Sequence, residues 1–251
     1  MISILLFAAL PMVAPPPLLQ GEHPTDHPAA KVVDLDDQFD ELVDELDVAM
    51  EAWWPEYSAG QEAGLPEEEL PAYPIEAFLP RFAEVAGAGH FDAQMWMIAN
   101  GAYDDSAGRL MWLERLLGEH TNNPDLADFF GSMVWFFQAG DSAVFRILDQ
   151  FVASTEVAAH AFDARAVKGL ILLESGTKAQ QAEGLVLLKD LSSVSRAFPM
   201  QSKLVSAIFI AENLQIGMTP PNFEAVDVDG EPISLADYRG KVTVLDFWGF
   251  W

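Results

Sequence analysis

Apolar side chains recur at three- and four-residue intervals along most of this chain, which is the spacing of one face of an α-helix. The first such segment covers residues 36–54, and Asp34 or Asp36 is expected to cap it. Its apolar face consists of Phe39, Val43, Leu46, Met50, Trp53 and Trp54. Its other faces are rich in Asp and Glu, a pattern typical of a solvated helix surface. Residues 55–74 contain several Pro and Gly residues and are expected to form a loop.

Eight further helical segments are predicted between residues 75 and 214, and Pro80 is expected to kink or split the first of them. Short stretches with Gly, Asn or Pro separate the segments, and strand-like alternation is essentially absent here. Helices of this length joined by short connections favour antiparallel helical hairpins. The predicted segments are 75–86, 90–100, 104–118, 124–138, 142–153, 156–175, 178–192 and 200–214.

Small residues are concentrated in residues 155–198, on what is predicted to be a pair of helices. Small side chains on one helix let a partner helix approach closely, as in tetratricopeptide-like repeats. No strict period extends over three units, so a repeat array and an irregular bundle both fit residues 34–214. The small residues are Ala158, Ala161, Ala164, Ala166 and Gly169 on the first helix, and Ala182 and Gly184 on the second.

The pattern changes after Pro220 and Pro221, where alternating apolar and polar residues predict a strand over 223–228. Asp229 and Gly230 then predict a hairpin turn, with Ile233 on the returning strand. A helical turn over 235–238, capped by Ser234, is expected next. Residues 242–247 are rich in Val and Leu and predict a buried central strand.

The amino-terminal residues predict export. Residues 2–14 form an apolar run that is too short to span a bilayer, which takes about 20 residues, but that fits the core of a signal peptide. We therefore assign residues 1–20 to a signal peptide and 21–33 to a linker. The expected location is the periplasm or cell envelope, with no stable membrane span after signal cleavage.

Composition narrows the classes of function. With 39 acidic residues against 13 Lys and Arg, the net charge is −26, which repels phosphate backbones and argues against nucleic-acid binding. Hydrophobic residues make up 51% of the chain, enough for a substantial core. The sequence contains no cysteine, so a disulfide, a zinc–thiolate site or a thiol nucleophile within these residues is excluded.

The five histidines predict no metal site, and no cofactor site is predicted either. His23 and His27 are four residues apart, but a proline follows each and argues against the helix that would bring them together. His90, His120 and His160 are expected to cap helices or to pack inside the protein. The aromatic residues Trp96, Trp112, Trp135, Phe129, Phe130, Phe136 and Phe137 are expected in the core, with a peptide groove as the alternative.

Residues 215–251 resemble the opening of a thioredoxin-like redoxin domain of the TlpA/ResA-type disulfide-reductase family. The resemblance extends over about 36 residues. It implies an incomplete thioredoxin-like α/β domain, a β-hairpin plus one central strand, after the mainly α-helical domain at 34–214. The matching scaffold positions are Pro221, Phe223, Asp229, Gly230, Gly240, Lys241, Phe247, Trp248 and Trp251.

In this family, the Phe-Trp-x-x-Trp run leads into a Cys-x-x-Cys active site, whose first cysteine would fall one residue after Trp251. The resemblance therefore implies an exported thiol-disulfide oxidoreductase that acts on a protein disulfide or a redox partner protein. The chain is expected to be a fragment of that protein and inactive without the dithiol, so no catalytic residue is assigned. Two alternatives stay open: a helical-repeat binding module with a redox-inactive appendage, and a peroxiredoxin-like peroxidase.

Overall fold

A computed structural model of the protein describes residues 34–101, 106–194 and 200–246. The predicted signal peptide, the predicted linker and the histidines at 23 and 27 lie outside these residues. The described residues are mostly helical, as the periodicity predicts. The helices are α1 (Leu35–Glu62), α2 (Ile75–Gly87), α3 (Phe91–Asn100), α4 (Ser106–Glu119), α5 (Leu126–Met133), α6 (Ser142–Ser154), α7 (Ala158–Ser175), α8 (Lys178–Ser192) and α9 (Gln201–Asn213).

Most helices pack against the next one along the chain. Helices α1 to α4 contact one another in succession, α4 contacts α6, and α6 to α9 again follow in order. Helix α5 packs against α7. This arrangement agrees with the predicted helical hairpins, but it does not establish a tetratricopeptide-like repeat.

A continuous apolar core runs through these helices. Phe82, Phe130 and Phe151 are among its largest fully buried side chains. The ring of Phe130 lies 5.5 Å from that of Phe151, and the ring of Phe82 stacks on Trp96 at 3.7 Å. The predicted core positions are therefore mostly confirmed, with Trp96 and Phe136 partly buried and Trp112, Phe129 and Phe137 buried.

Helices α7 and α8 approach each other closely, and two glycines allow it. A Cβ atom on Gly184 would lie 2.6 Å from the carbonyl oxygen of Gly169, and one on Gly169 would lie 2.7 Å from Cδ2 of Leu188. Contacts this short do not occur between real Cβ atoms and their neighbours. The prediction that small residues bring these two helices together is confirmed.

Helix α1 is longer than predicted. It continues through Pro55 to Glu62, so the expected loop over 55–74 begins only after residue 62 and includes a 3₁₀ turn at Glu67–Glu69. An interior proline removes one backbone hydrogen bond. Aromatic packing around Trp53 offsets this loss, since its ring stacks on Tyr57 at 4.5 Å and its Nε1 donates to the carbonyl of Pro71 at 3.0 Å.

Pro80 does not split α2. The helix is continuous from Ile75 to Gly87, and Pro80 itself is exposed while Phe82, Val85 and Ala86 on the other side are buried. Packing of this apolar face against the core holds the helix across the missing hydrogen bond. The sequence predicted that Pro80 would kink or split the helix, and the split was wrong.

Two aromatic side chains predicted to be buried are exposed. Trp54, on the expected apolar face of α1, is 58% exposed, and Trp135 is 77% exposed. Helix α5 ends at Met133, five residues earlier than predicted, and the turn that follows directs Phe137 rather than Trp135 into the core. The hydroxyl of Ser175 accepts a hydrogen bond from the backbone N–H of Ala139 at 2.8 Å and fixes this turn.

The predicted central strand at 242–247 does not form over its described part, residues 242–246. Val242 is 99% exposed and Val244 86% exposed. A parallel strand needs hydrogen-bonded neighbours and helices on its faces. Within the described part of the chain, the sheet has two strands that pair with each other, so nothing there pairs with residues 242–246.

Candidate functional site

The segment that resembles a redoxin begins with a small antiparallel hairpin. Strand β1 (Glu224–Val226) pairs with β2 (Pro232–Ser234), with Ala225 opposite Ile233. This is the hairpin predicted from residues 223–233. The backbone N–H of Leu235 also donates to the carbonyl of Phe223 at 3.2 Å, which extends the pairing by one residue at each strand.

The hairpin turn is organised by an aspartate that the sequence analysis did not single out. The carboxylate Oδ1 of Asp227 accepts hydrogen bonds from the backbone N–H groups of Asp229 and Glu231, each at 2.9 Å. Gly230 then adopts a left-handed conformation with φ of 84°, which side chains with a Cβ rarely adopt. The predicted turn at Asp229 and Gly230 is confirmed, and the Asp-x-Asp-Gly spacing was the signal for the role of Asp227.

A 3₁₀ turn, Leu235–Tyr238, follows the hairpin and is held at its start by reciprocal capping. The hydroxyl of Ser234 accepts from the N–H of Ala236 at 3.3 Å, and Asp237 accepts from the N–H of Ser234 at 3.3 Å. The prediction that Ser234 caps this turn is confirmed. Asn222 was missed, although its Oδ1 accepts from the Ser234 hydroxyl at 3.0 Å and from the N–H of Ala236 at 2.8 Å.

The scaffold residues after the turn are exposed. Gly240 has φ of 82°, and the backbone N–H of Lys241 donates to the carbonyl of Tyr238 at 3.1 Å. The ammonium of Lys241 stands 5.6 Å from the centre of the Tyr238 ring. Pro221 and Phe223 are exposed as well, and Phe247, Trp248 and Trp251 lie outside the described residues. The structure thus brings the scaffold positions 221–241 into one hairpin-and-turn unit.

The three histidines of the helical region lie in structural positions. His90 caps α3, since its Nδ1 accepts from the N–H of Ala93 at 3.1 Å, and its Nε2 lies 3.0 Å from Oδ1 of Asp36. Nδ1 of the buried His160 lies 3.2 Å from the carbonyl oxygen of Thr121. Burial lowers the pKa of His120, whose ring packs edge-on against Phe91 at 5.2 Å. These positions agree with the predicted capping and packing roles.

One buried carboxyl group has a strongly shifted pKa. Asp163, on α7, is fully buried, and burial raises its pKa to about 6, although the N–H of Met200 and the nearby His160 act in the opposite direction. Among the described residues, its Oδ1 accepts from the N–H of Met200 at 3.3 Å and its Oδ2 has no hydrogen-bond partner. It therefore joins α7 to the start of α9 and is a structural group of the helical region.

Residues 34–101, 106–194 and 200–246 contain neither a metal-binding cluster of side chains nor a helix that could span a membrane. No group of three or more His, Asp or Glu side chains in them is arranged to hold a metal ion. In the same ranges, every helix is too short or too polar to cross a membrane.

Comparison with known proteins finds a short but consistent similarity. The chain is 45% identical over 40 residues to the thiol-disulfide oxidoreductase ResA of Bacillus thuringiensis subsp. konkukian. These residues make up 16% of this chain and 23% of that protein. It is 47% identical over 36 residues to ResA of Geobacillus kaustophilus, or 14% of this chain and 21% of that protein. With ResA of Bacillus subtilis it shares 39% identity over 49 residues, or 19% of this chain and 27% of that protein.

The chain thus spans about a quarter of the length of the curated relatives it matches. No protein-family model matches the chain, and no solved structure matches it. The similarity supports a redoxin-like, thiol-disulfide oxidoreductase-like segment.

Proposed function

We propose that this chain belongs to an exported thiol-disulfide oxidoreductase, in which residues 215–251 open the redoxin domain and a Cys-x-x-Cys follows them. The observation that carries the proposal is the similarity to the ResA proteins over about 40 residues. We place this similarity on the carboxy-terminal segment, because the redoxin-like residues Asp229, Gly230, Gly240 and Lys241 lie there. The hairpin, the capped turn and the left-handed Gly230 and Gly240 show that several of these residue types set the backbone geometry of the segment.

The chemistry requires two thiols. The first, as a thiolate at the start of a helix, would attack one sulfur of a substrate disulfide and form a mixed disulfide while the other substrate sulfur leaves as a thiolate. The second thiol would then attack the mixed disulfide and release the reduced substrate, leaving the enzyme oxidised. Residues 215–251 contribute scaffold to this reaction, and the substrate is proposed to be a protein disulfide.

Export is part of the proposal and depends on the apolar run at residues 2–14. A fusion of residues 1–33 to a reporter that is active only outside the cytoplasm tests it. Reporter activity is expected, and replacing Leu5 and Leu6 with Arg should abolish it. Equal activity of the two fusions would contradict export through this run.

Reduction of insulin disulfides tests the activity. The gene product that extends through the proposed dithiol should precipitate insulin chains in the presence of a small dithiol reductant, and a variant with the first cysteine replaced by serine should not. The 251-residue chain, which has no cysteine, provides the matched negative control. A product that contains both cysteines and shows no more activity than this control would refute the proposal.

A further inference from the structure

His90 connects two helices through both nitrogens of its ring. Its side chain is 9% exposed and lies between the start of α1 and the start of α3. Nδ1 accepts a hydrogen bond from the backbone N–H of Ala93 at 3.1 Å, and Nε2 lies 3.0 Å from Oδ1 of Asp36. The ring also stacks on Phe39 of α1, with 4.8 Å between the ring centres. The imidazole therefore caps α3 and contacts α1 at the same time.

These contacts fix the protonation state of the ring. A backbone N–H can only donate, so Nδ1 accepts with its lone pair and carries no hydrogen. Nε2 then carries the single hydrogen of the neutral ring and donates it to the Asp36 carboxylate. The positions of the two partners thus require the neutral Nε2–H tautomer of His90.

Uptake of a second proton is incompatible with the cap. An imidazolium ring has a hydrogen on each nitrogen and accepts no hydrogen bond. The N–H of Ala93 is among the first four of α3, which have no carbonyl partner within the helix. Because Ala93 is fully buried, water cannot replace the lost acceptor while the turn keeps this structure. The contact with Asp36 needs no such change, since Nε2 donates in both states.

The charged groups around the ring and the adjacent Asp92 attract an imidazolium. They lie on α1, on α3, at the end of α4 and in the loop before α5, and most of them are carboxylates. His120 opposes a charge on the ring when it is itself protonated, and Arg115 is already paired with Glu119. Helix α2 contributes the carbonyl of Val85, which accepts from the backbone N–H of the capping residue at 3.4 Å. The carboxylates are Asp36, Asp40, Asp92, Asp125 and Glu119.

We propose that His90 is an acid-sensitive switch, in which the ring gives up its role as the cap of α3 for an ion pair with α1. In its neutral form the ring holds the first turn of α3 closed. In its charged form it keeps the hydrogen bond to Asp36, now as an ion pair, and the first turn of α3 opens. This conformational change is separate from the dithiol chemistry proposed above and does not depend on it.

NMR on the full 251-residue chain tests the switch at pH 8 and pH 5, on either side of the range in which imidazoles usually titrate. Nitrogen–proton correlation spectra should show the Nε2–H tautomer of His90 at pH 8. The protection factor of the Ala93 amide against hydrogen exchange should fall by about tenfold or more as the ring takes up its second proton. The Nδ1–H tautomer at pH 8, a ring that stays neutral at pH 5, or unchanged protection of Ala93 would each overturn the proposal.

His90→Asn is the matched variant, because asparagine is a strong helix cap and does not titrate in this range. It should keep the protection of Ala93 at pH 8 and lose most of the fall at pH 5. Asp36→Asn should leave the cap in place at pH 8 and make the opening at pH 5 less complete, by about twofold, since the exposed carboxylate attracts the charged ring only weakly. An equal fall in the protection of Ala93 in His90→Asn and in the parent protein would assign the effect to Asp92 or His120 and overturn the proposal.

Discussion

Replacing the buried Asp163 by Asn should stabilise the protein at neutral and alkaline pH. The side chain is fully buried, and burial raises its pKa from the ordinary value of 3.8 to about 6. The folded protein therefore holds this proton more tightly than the unfolded chain does. Ionisation of the carboxyl group costs folding free energy, and the cost grows as the pH rises from about 4 to 6 and is constant above that.

The size of this stabilisation follows from the pKa values of Asp163 in the unfolded chain and in the folded protein. A difference of about two units corresponds to ~3 kcal/mol at pH 8, and to about half of that at pH 5, where the folded protein is still largely protonated and the unfolded chain is not. Asn is neutral throughout this range and keeps an oxygen that can accept from the N–H of Met200, 3.3 Å away. The variant should therefore be more stable by up to ~3 kcal/mol at pH 8, with an advantage about half as large at pH 5.

Urea unfolding followed by circular dichroism at pH 5, 6.5 and 8 measures the difference. Measurements below pH 5 are avoided because a protein with little net charge tends to associate, and the isoelectric point of this chain is about 4.2. Asp44→Asn, which removes the same charge from an exposed position on α1, serves as the control and should show little pH dependence relative to the parent protein. An Asp163→Asn variant that is less stable at pH 8, or whose advantage is the same at pH 5 and 8, would refute the reasoning.

Three further predictions concern packing, the hairpin and a histidine. Gly184→Ala should lose about 1–3 kcal/mol relative to Gly118→Ala, because a Cβ at 184 meets backbone at 2.6 Å while one at 118 meets nothing within 4 Å; equal urea midpoints would contradict this. Gly230→Ala, at φ of 84°, should cost the hairpin about 1–2 kcal/mol and speed amide exchange at Glu231, and unchanged exchange would argue against the turn described. Partial burial lowers the pKa of His120, so a proton NMR titration should give a midpoint below the ordinary 6.5, and the protein should lose stability as pH falls below that value; a midpoint above 6.5 would contradict this effect of burial.

The sequence was most informative where local rules determine the structure. The bounds of α8 coincide with the predicted 178–192, because Thr177 caps its start with a reciprocal bond from Gln180 and the apolar period is regular. The turn at Gly230 and the cap at Ser234 were likewise predictable, since each depends on the chemistry of a few neighbouring residues.

Features that depend on distant contacts were not predictable from local patterns. The continuation of α1 through Pro55 depends on the packing of Trp53 against Tyr57 and the carbonyl of Pro71. The exposure of Trp135 depends on a turn fixed by Ser175, which is 36 residues away from the residue it binds. The absence of a strand over residues 242–246 reflects the lack of a pairing partner within the described residues, which periodicity cannot report.

In the candidate site, too, the features that depend on neighbouring residues were predictable from the sequence and those that depend on distant contacts were not. The redoxin-like residue types at 221–241 were identified from the sequence, and the hairpin and turn they predict are present. Asp227 was missed as an organising residue, although Asx side chains commonly bind backbone N–H groups a few residues on. Asn222 was missed because it accepts from the N–H of Ala236, 14 residues on, a contact that no local pattern predicts.

The coding sequence directly after the Trp251 codon tests the central claim most directly, because the proposed function depends on two thiols that should follow it. Sequencing the gene across this position is expected to show codons for Cys-x-x-Cys immediately after Trp251. A stop codon there, or a continuation without cysteine, would contradict the oxidoreductase and favour a helical binding protein. A single cysteine would contradict the dithiol mechanism and favour a peroxidase.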